Sequence, residues 1–396
     1  MGVTNYPIYR PYLTGKERQY VTECFDSSWI SSRGHFIQRF ESEFADFVGV
    51  RHATSVCNGT AALHLAMLAI GIGPGDEVIV PTLTYVASAN TIVQTGAMPV
   101  FVDSIEGTWQ VDPSAVERAV TSRTKAVMVV HLYGASCELD AISKICSERR
   151  LLLIEDCAEA LGTLYRGKHV GTFGDVSTFS FFGNKTITTG EGGMVISNDA
   201  GTIKKAHHLK TQAVSSLQEY WHDAVGYNYR MTNLCAAIGT AQLEQAGYVL
   251  KRKRQLAAWY DKHLADLPVN RQAESPNSTN SWWLYSILVS PELRDSLRLH
   301  LRNNSVETRP LFPPVHAFPH YASNLEFPKA QAISRSGISL PSYPDLTEFD
   351  IRVISSRLRE FFKGLENSAL RADHLILPKK ASEFKESIST KGAQVP

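Results

Sequence analysis

The 396-residue sequence predicts an α/β fold built on a large, mainly parallel sheet flanked by helices, and three features carry that expectation. Short apolar runs alternate with amphipathic stretches, some runs are apolar at every position, and glycine- and proline-rich stops separate the segments. Strand–helix–strand alternation is the pattern that covers a parallel sheet on both sides. A strand buried on both faces has no polar alternation to show. Leu151-Leu152-Leu153-Ile154 is such a run, and Gly71-Ile72-Gly73-Pro74-Gly75-Asp76 is such a stop.

Taken in order, residues 14–28 and 36–48 read as helices joined by the loop Trp29-Ile30-Ser31-Ser32-Arg33-Gly34. Strands are expected at 53–57, 77–80, 99–102, 126–130, 151–155, 177–181 and 194–197, with helices at 60–70, 85–95, 113–120, 140–149 and 203–209 between them. Long helices at 232–246 and 248–264 lead out of the sheet. An apolar run at 282–289, a helix near 292–302 and a last one near 350–362 predict a smaller unit. The expected division is a large domain over 1–246 and a small C-terminal α/β domain over 247–364. A flexible tail is expected over 365–396, where Lys, Ser and Glu dominate.

A net charge of +1 offers no field of one sign to nucleic acid or an anionic membrane, so an anionic ligand has to be gripped locally. Cys24, Cys57, Cys137, Cys146, Cys157 and Cys235 form no Cys-x-x-Cys pair, which argues against a disulfide framework or a zinc site and fits a reducing compartment. The start, Met1-Gly2-Val3-Thr4-Asn5-Tyr6, lacks the layout of a signal peptide and has Tyr where a myristoylation site needs Ser or Thr. No apolar run is long enough to span a bilayer. A cytoplasmic protein without membrane or nucleic-acid partners is expected.

Four strand ends carry candidate chemistry. Ser180-Phe181-Phe182-Gly183-Asn184-Lys185-Thr186 sets a lysine just past a buried strand, before Gly190-Glu191-Gly192-Gly193. Lysine titrates near ~10.4, and desolvation lowers that value and frees the amine to bond a cofactor aldehyde. A surface lysine in a glycine-rich hairpin is the alternative. The run 151–155 leads into Asp156, with Glu159 a few residues on. A carboxylate at that end of an α/β strand suits a ligand, here the nitrogen of a pyridine ring; a helix cap is the alternative. Asn58-Gly59-Thr60 opens a helix whose free N–H groups suit a phosphate, with Ser180 beside it, or form an ordinary cap. Tyr85, after another strand end, either stacks on a flat ring or belongs to the core.

At these residues the chain resembles the DegT-type sugar-nucleotide aminotransferases, which have the aspartate-aminotransferase-like fold (fold type I of the enzymes that use pyridoxal 5'-phosphate, PLP). The likeness spans roughly residues 6–362. It is most specific at Trp29–Gly34, Ser55–Thr60, Ile154–Ala160, Thr178–Gly193 and Tyr220–Thr232. The resemblance implies that Lys185 anchors PLP and shuttles protons, Asp156 partners the ring nitrogen, Glu159 the ring hydroxyl, and Tyr85 stacks. Gly59, Thr60 and Ser180 bind the phosphate, with Asn228 reaching across from the second subunit of a homodimer with shared sites. The same resemblance implies that Ser31, Arg230 and His316 line the sugar-nucleotide pocket. The implied reaction moves an amino group from L-glutamate to C4 of a nucleotide-linked 4-keto-6-deoxy sugar, GDP-linked first and UDP- or dTDP-linked second, for glycan synthesis. Related sugar dehydratases carry histidine in place of the lysine, and a PLP-sensing regulator needs a basic helix-turn-helix module; this sequence shows Lys185 and no such module. The basic run Lys251-Arg252-Lys253-Arg254 reads as a diphosphate grip or a solvated helix face.

Overall fold

A computed structural model describes residues 5–322 and 324–375. Strands β1 (His52–Val56), β2 (Glu77–Pro81), β3 (Met98–Val102), β4 (Thr124–Val130), β5 (Leu152–Asp156), β6 (Val176–Ser180) and β7 (Gly193–Ser197) form one sheet. Their order is β1-β7-β6-β5-β4-β2-β3. Every expected strand is present, with small shifts at the ends. The pairs β3–β2, β2–β4, β4–β5 and β5–β6 are parallel. β7 runs antiparallel to both β6 and β1, because residues 181–192 turn the chain straight back without a crossover helix.

Successive side chains along each strand point to opposite faces. Val127 and Val129 therefore join the core under α1 (His35–Val48), while Ala126 and Met128 join the core under α2 (Gly59–Ala69). The α1 side is aromatic: Phe44 packs 5.0 Å from Phe179 and 5.3 Å from Phe181, centroid to centroid. With Phe179 and Phe181 locked into that layer, the alternation turns Ser180 towards the other side, against Gly59.

A second sheet, entirely antiparallel, is built from β8 (Asn270–Arg271), β9 (Ser286–Leu288), β10 (Arg309–Pro310) and β11 (Gly337–Ser339) in the order β8-β9-β11-β10. Two features depart from the expected division. Tyr6, at the far N-terminus, donates its N–H to Ser305 and accepts one from Glu307, both at 2.9 Å, so the chain start packs on the C-terminal unit. The last helix, Glu348–Leu375, extends beyond residue 365, where a flexible tail was expected; the rest of that stretch, residues 376–396, lies outside the described residues.

The basic run on the helix Ala246–Leu264 is neither a phosphate grip nor a solvated face. Arg252 donates to the carbonyls of Pro344 and Leu346, and Arg254 to those of Asn280 and Gly162. Lys253 is buried and donates to the carbonyls of Trp283 (3.0 Å) and Ser342 (2.8 Å). Three cations thus stitch the long helix to the loops around residues 280–283 and 342–346, and Arg254 ties it also to Gly162 beside the large sheet. Lys253→Met keeps the side-chain volume but strands two buried carbonyls. It is expected to cost roughly 2–4 kcal/mol of unfolding free energy, read from the urea midpoint; an unchanged midpoint would contradict the stitching role.

Candidate active site

The carboxyl ends of β1, β5 and β6 open onto a cavity of about 570 Å³ whose lining includes Gly59, Thr60, Tyr85, Asp156, Glu159, Ser180 and Lys185. Seven residues picked from separate parts of the sequence are therefore brought together. Asn58 caps the adjoining helix, accepting from the Ala61 N–H at 2.8 Å through its side chain and from the Ala62 N–H through its carbonyl. The N–H groups of Gly59 and Thr60 belong to the first turn and have no intrahelical acceptor. A Cβ at Gly59 would sit 2.7 Å from the Ser180 Cβ, so only glycine lets the two strand ends close into one anion cradle.

Asp156 is buried and fixed on both oxygens: Ser88 donates to Oδ2 at 2.8 Å and the Ala158 N–H to Oδ1 at 3.1 Å. Thr84 and Ser88 hydroxyls lie 3.0 Å apart behind it. The neighbouring carboxylate, Glu155, points the other way, accepting N–H groups from Gly171, Phe173 and Gly174 and pairing with His131 at 3.0 Å. The Cys137 N–H donates to the second nitrogen of that imidazole at 3.1 Å, so His131 is satisfied on both sides. Burial raises the Asp156 carboxyl above its usual range, opposed by the Ala158 and Ser88 hydrogen bonds and by the charge of Lys185.

Lys185 Nζ lies 3.7 Å from Glu159 Oε1 and 4.1 Å from the centre of the Trp283 ring. Burial pulls the lysine below its ordinary value, against the pull of Glu159 and Asp156. Burial likewise pushes Glu159 up to about 7, while Lys185 and the Tyr133 N–H, 2.8 Å from Oε2, hold it down. Both charges are penalised by the same desolvation, which lowers the lysine and raises the carboxyl. Tyr85 is 57% exposed, with its ring 5.6 Å from Phe312, so it has a face free for stacking.

Other expected residues do not line this cavity. Asn228 and Arg230 are exposed and joined to each other, guanidinium to amide oxygen, at 3.2 Å. Ser31 is exposed, with its carbonyl accepting the Asn233 N–H. His316 is buried, its Nδ1 2.6 Å from the Thr82 hydroxyl and its Nε2 3.1 Å from the Gln331 amide, and this satisfied ring has no free nitrogen for a substrate. Sequence reasoning missed Ser88 and Trp283. Ser88, in the first turn of the helix Ala87–Gln94, follows the hydroxyl of Thr84 by four residues, a spacing that could have flagged the pair; nothing local marks Trp283.

A phosphorylated pyridine aldehyde needs an amine, a carboxylate for its nitrogen, an anion cradle and a flat wall, and the cavity supplies all four. Two further buried polar atoms on its lining, Thr178 Oγ1 and Asn184 Oδ1, have no partner of their own. The residues present therefore fit PLP. The Glu159 shift also carries a consequence for stability. The folded chain holds that proton more tightly than the unfolded chain, so this group's contribution is complete below about pH 4.5 and is lost as pH rises to about 7. Glu159→Gln removes that slope. Urea unfolding of the cofactor-free protein is expected to favour the variant increasingly between about pH 5 and about pH 7.5; a constant difference would contradict the shift.

The sequence pattern of the DegT/DnrJ/EryC1/StrS aminotransferase family matches residues 11–359. The chain is 53% identical over 358 residues to the GDP-perosamine synthase of Escherichia coli O157:H7, covering 90% of this chain and 98% of that one. It is 54% identical over 363 residues to the GDP-perosamine synthase of Vibrio cholerae, covering 90% and 99%. A Streptococcus pneumoniae chain solved in its PLP form superposes with a TM-score of 0.85 at 26% identity, over 90% of this chain and 99% of that one. On these grounds the chain belongs to the DegT/DnrJ/EryC1/StrS aminotransferase family and is a PLP-dependent transaminase.

Proposed function

We propose that this transaminase moves the amino group of L-glutamate to C4 of GDP-4-keto-6-deoxymannose, giving GDP-perosamine and 2-oxoglutarate, for O-antigen or another glycan. The observation that carries the chemistry is the largely enclosed Lys185 amine, its side chain 14% exposed, beside Glu159 at the mouth of the strand-end cavity. What supports the sugar is the near full-length likeness to two GDP-perosamine synthases. When bound, PLP supplies an aldehyde for amines and a ring that withdraws electrons.

Lys185 would anchor that aldehyde through Nζ; freed when glutamate takes its place, the same amine would move a proton from the donor's α-carbon to the cofactor's aldehyde carbon, and in the second half from that carbon to C4 of the sugar. A lysine lowered by burial can do both, being a base when free and an acid once loaded. Asp156, held by Ser88 and the Ala158 N–H, keeps a proton on the ring nitrogen. Glu159 would meet the ring hydroxyl and Tyr85 would stack on the ring. The N–H groups of Gly59 and Thr60 and the Ser180 hydroxyl grip the phosphate, each charge-assisted hydrogen bond contributing roughly 1.5–3 kcal/mol.

Asn228 completes the cradle from a second copy. It stands at the base of an arm paired at Thr211–Asn228 and Val214–His222 that presents Leu217 (96% exposed), Tyr220 (94%) and Val225 (81%) to the outside. Apolar groups this exposed and this close together suit burial against a partner, and the loop with Trp29, Ile30 and Ser31 is exposed as well. Ser31 and Arg230 act on the sugar nucleotide in that assembly. No described helix is long and apolar enough to cross a membrane, and the six free cysteines support work in the reducing cytoplasm.

Purified protein with glutamate is expected to aminate GDP-4-keto-6-deoxymannose, and Lys185→Ala to abolish turnover. Activity confined to a UDP- or dTDP-linked sugar would overturn the substrate and keep the chemistry, whereas full activity of Lys185→Ala would overturn both. Shared sites have their own signature. Mixed, refolded Lys185→Ala and Asn228→Ala copies should regain roughly a quarter of wild-type activity, through hybrid dimers with one intact site; no recovery would contradict the shared arrangement.

A further inference from the structure

The tryptophan beside the reactive amine belongs to a different part of the chain and is tied down at three points. Trp283 is buried at 3% exposure. Its Nε1–H donates to the Asn184 carbonyl at 2.7 Å, fixing the peptide that precedes Lys185. Its own carbonyl accepts from Lys253 Nζ at 3.0 Å. Its ring stacks on Tyr133 (6.0 Å, 11° between planes), and Tyr133 stacks on Phe312 (5.4 Å, 21°). The tryptophan is therefore rigid before anything binds. Its face lies 4.1 Å from Lys185 Nζ, well within the ~6 Å at which a ring face attracts an ammonium, and tryptophan is the strongest such ring.

We propose that Trp283 is a positioning residue for the reaction. Its indole N–H holds the Asn184–Lys185 backbone, and its ring face receives the lysine as an ammonium whenever the amine is released from its covalent bond. This rests on Lys185 being the covalent anchor. The chemistry requires such a resting place. Between its two proton transfers the lysine carries the proton on a flexible stem, inside a cavity that penalises charge. Glu159 alone, at 3.7 Å, is beyond hydrogen-bond range and itself drawn towards its neutral form. A ring face stabilises the ammonium without competing for its proton, because it has no lone pair to accept it. The charged or titratable groups around the amine are Glu159 and Asp156 from the β5 side and Tyr9, whose hydroxyl donates to the Lys185 carbonyl. Lys253 lies beyond, over the Tyr9 ring at 5.1 Å.

The test uses the full-length protein loaded with pyridoxamine phosphate, the form in which the lysine amine is free. Amine acylation across a pH series, read on the Lys185 peptide by mass spectrometry, gives the pH at which that amine becomes reactive. Trp283→Leu removes the ring face and is expected to lower that midpoint by about one pH unit, a tenfold change in the ammonium's dissociation constant. A role confined to packing predicts the opposite sign, because loosened packing admits water and raises the midpoint towards that of an exposed lysine. An unchanged or raised midpoint therefore overturns the proposal. If Trp283→Leu does not fold, Trp283→Phe decides by the same criterion, with a smaller fall expected from its weaker ring face. Loss of turnover in Lys185→Ala judges the lysine and the acylation midpoint judges the tryptophan, so the two assignments can fail separately.

Discussion

The architecture depends on one constraint, an amine that must be buried and still carry a proton. In the proposed reaction Lys185 serves as nucleophile, acid and base in turn, which requires a place where water is scarce enough to weaken its hold on the proton. That same scarcity penalises every charge nearby. The carboxyl of Glu159, drawn up to about 7 beside it, is the counterpart of the same desolvation. The site is a compromise in which desolvation works against the charged form of each partner while each partner's charge supports the other's.

The fold meets this constraint by division of labour. The parallel strands deliver the fixed groups at their carboxyl ends: Asp156 from β5, Ser180 from β6, and the helix start at Gly59 after β1. The lysine comes instead from the segment that reverses the chain between β6 and β7. There it is anchored through its backbone, with its carbonyl bonded by Tyr9 and the preceding carbonyl by Trp283. Rigid strand ends hold what must stay still, while a backbone-pinned loop leaves one side chain free to swing. The smaller C-terminal unit, stitched by Lys253, supplies the wall against which it moves.

Much of this was legible in the sequence because it is local. The run Leu151–Ile154 announces a strand buried on both faces, and the carboxylate after it falls at the ligand end by the geometry of parallel sheets. Gly59 in a strand-to-helix turn marks a close approach, which proved to be to Ser180. What could not be read is what crosses long stretches of chain. Tyr6 pairing with Ser305, and Trp283 reaching Lys185, leave no trace in periodicity. The basic run was misjudged for a related reason: four consecutive cations look solvated until the carbonyls that receive three of them are known. At His316, likewise, a motif cannot show that both ring nitrogens bond Thr82 and Gln331.

The central claim, that one buried amine at the rim of the sheet forms the bond to the cofactor, is open to a direct chemical measurement. The PLP-loaded protein is reduced with borohydride, digested, and its peptides mapped for the retained pyridoxyl group. The account predicts the group on the peptide containing Lys185 and nowhere else. A pyridoxyl group on another lysine, or on none, would contradict it.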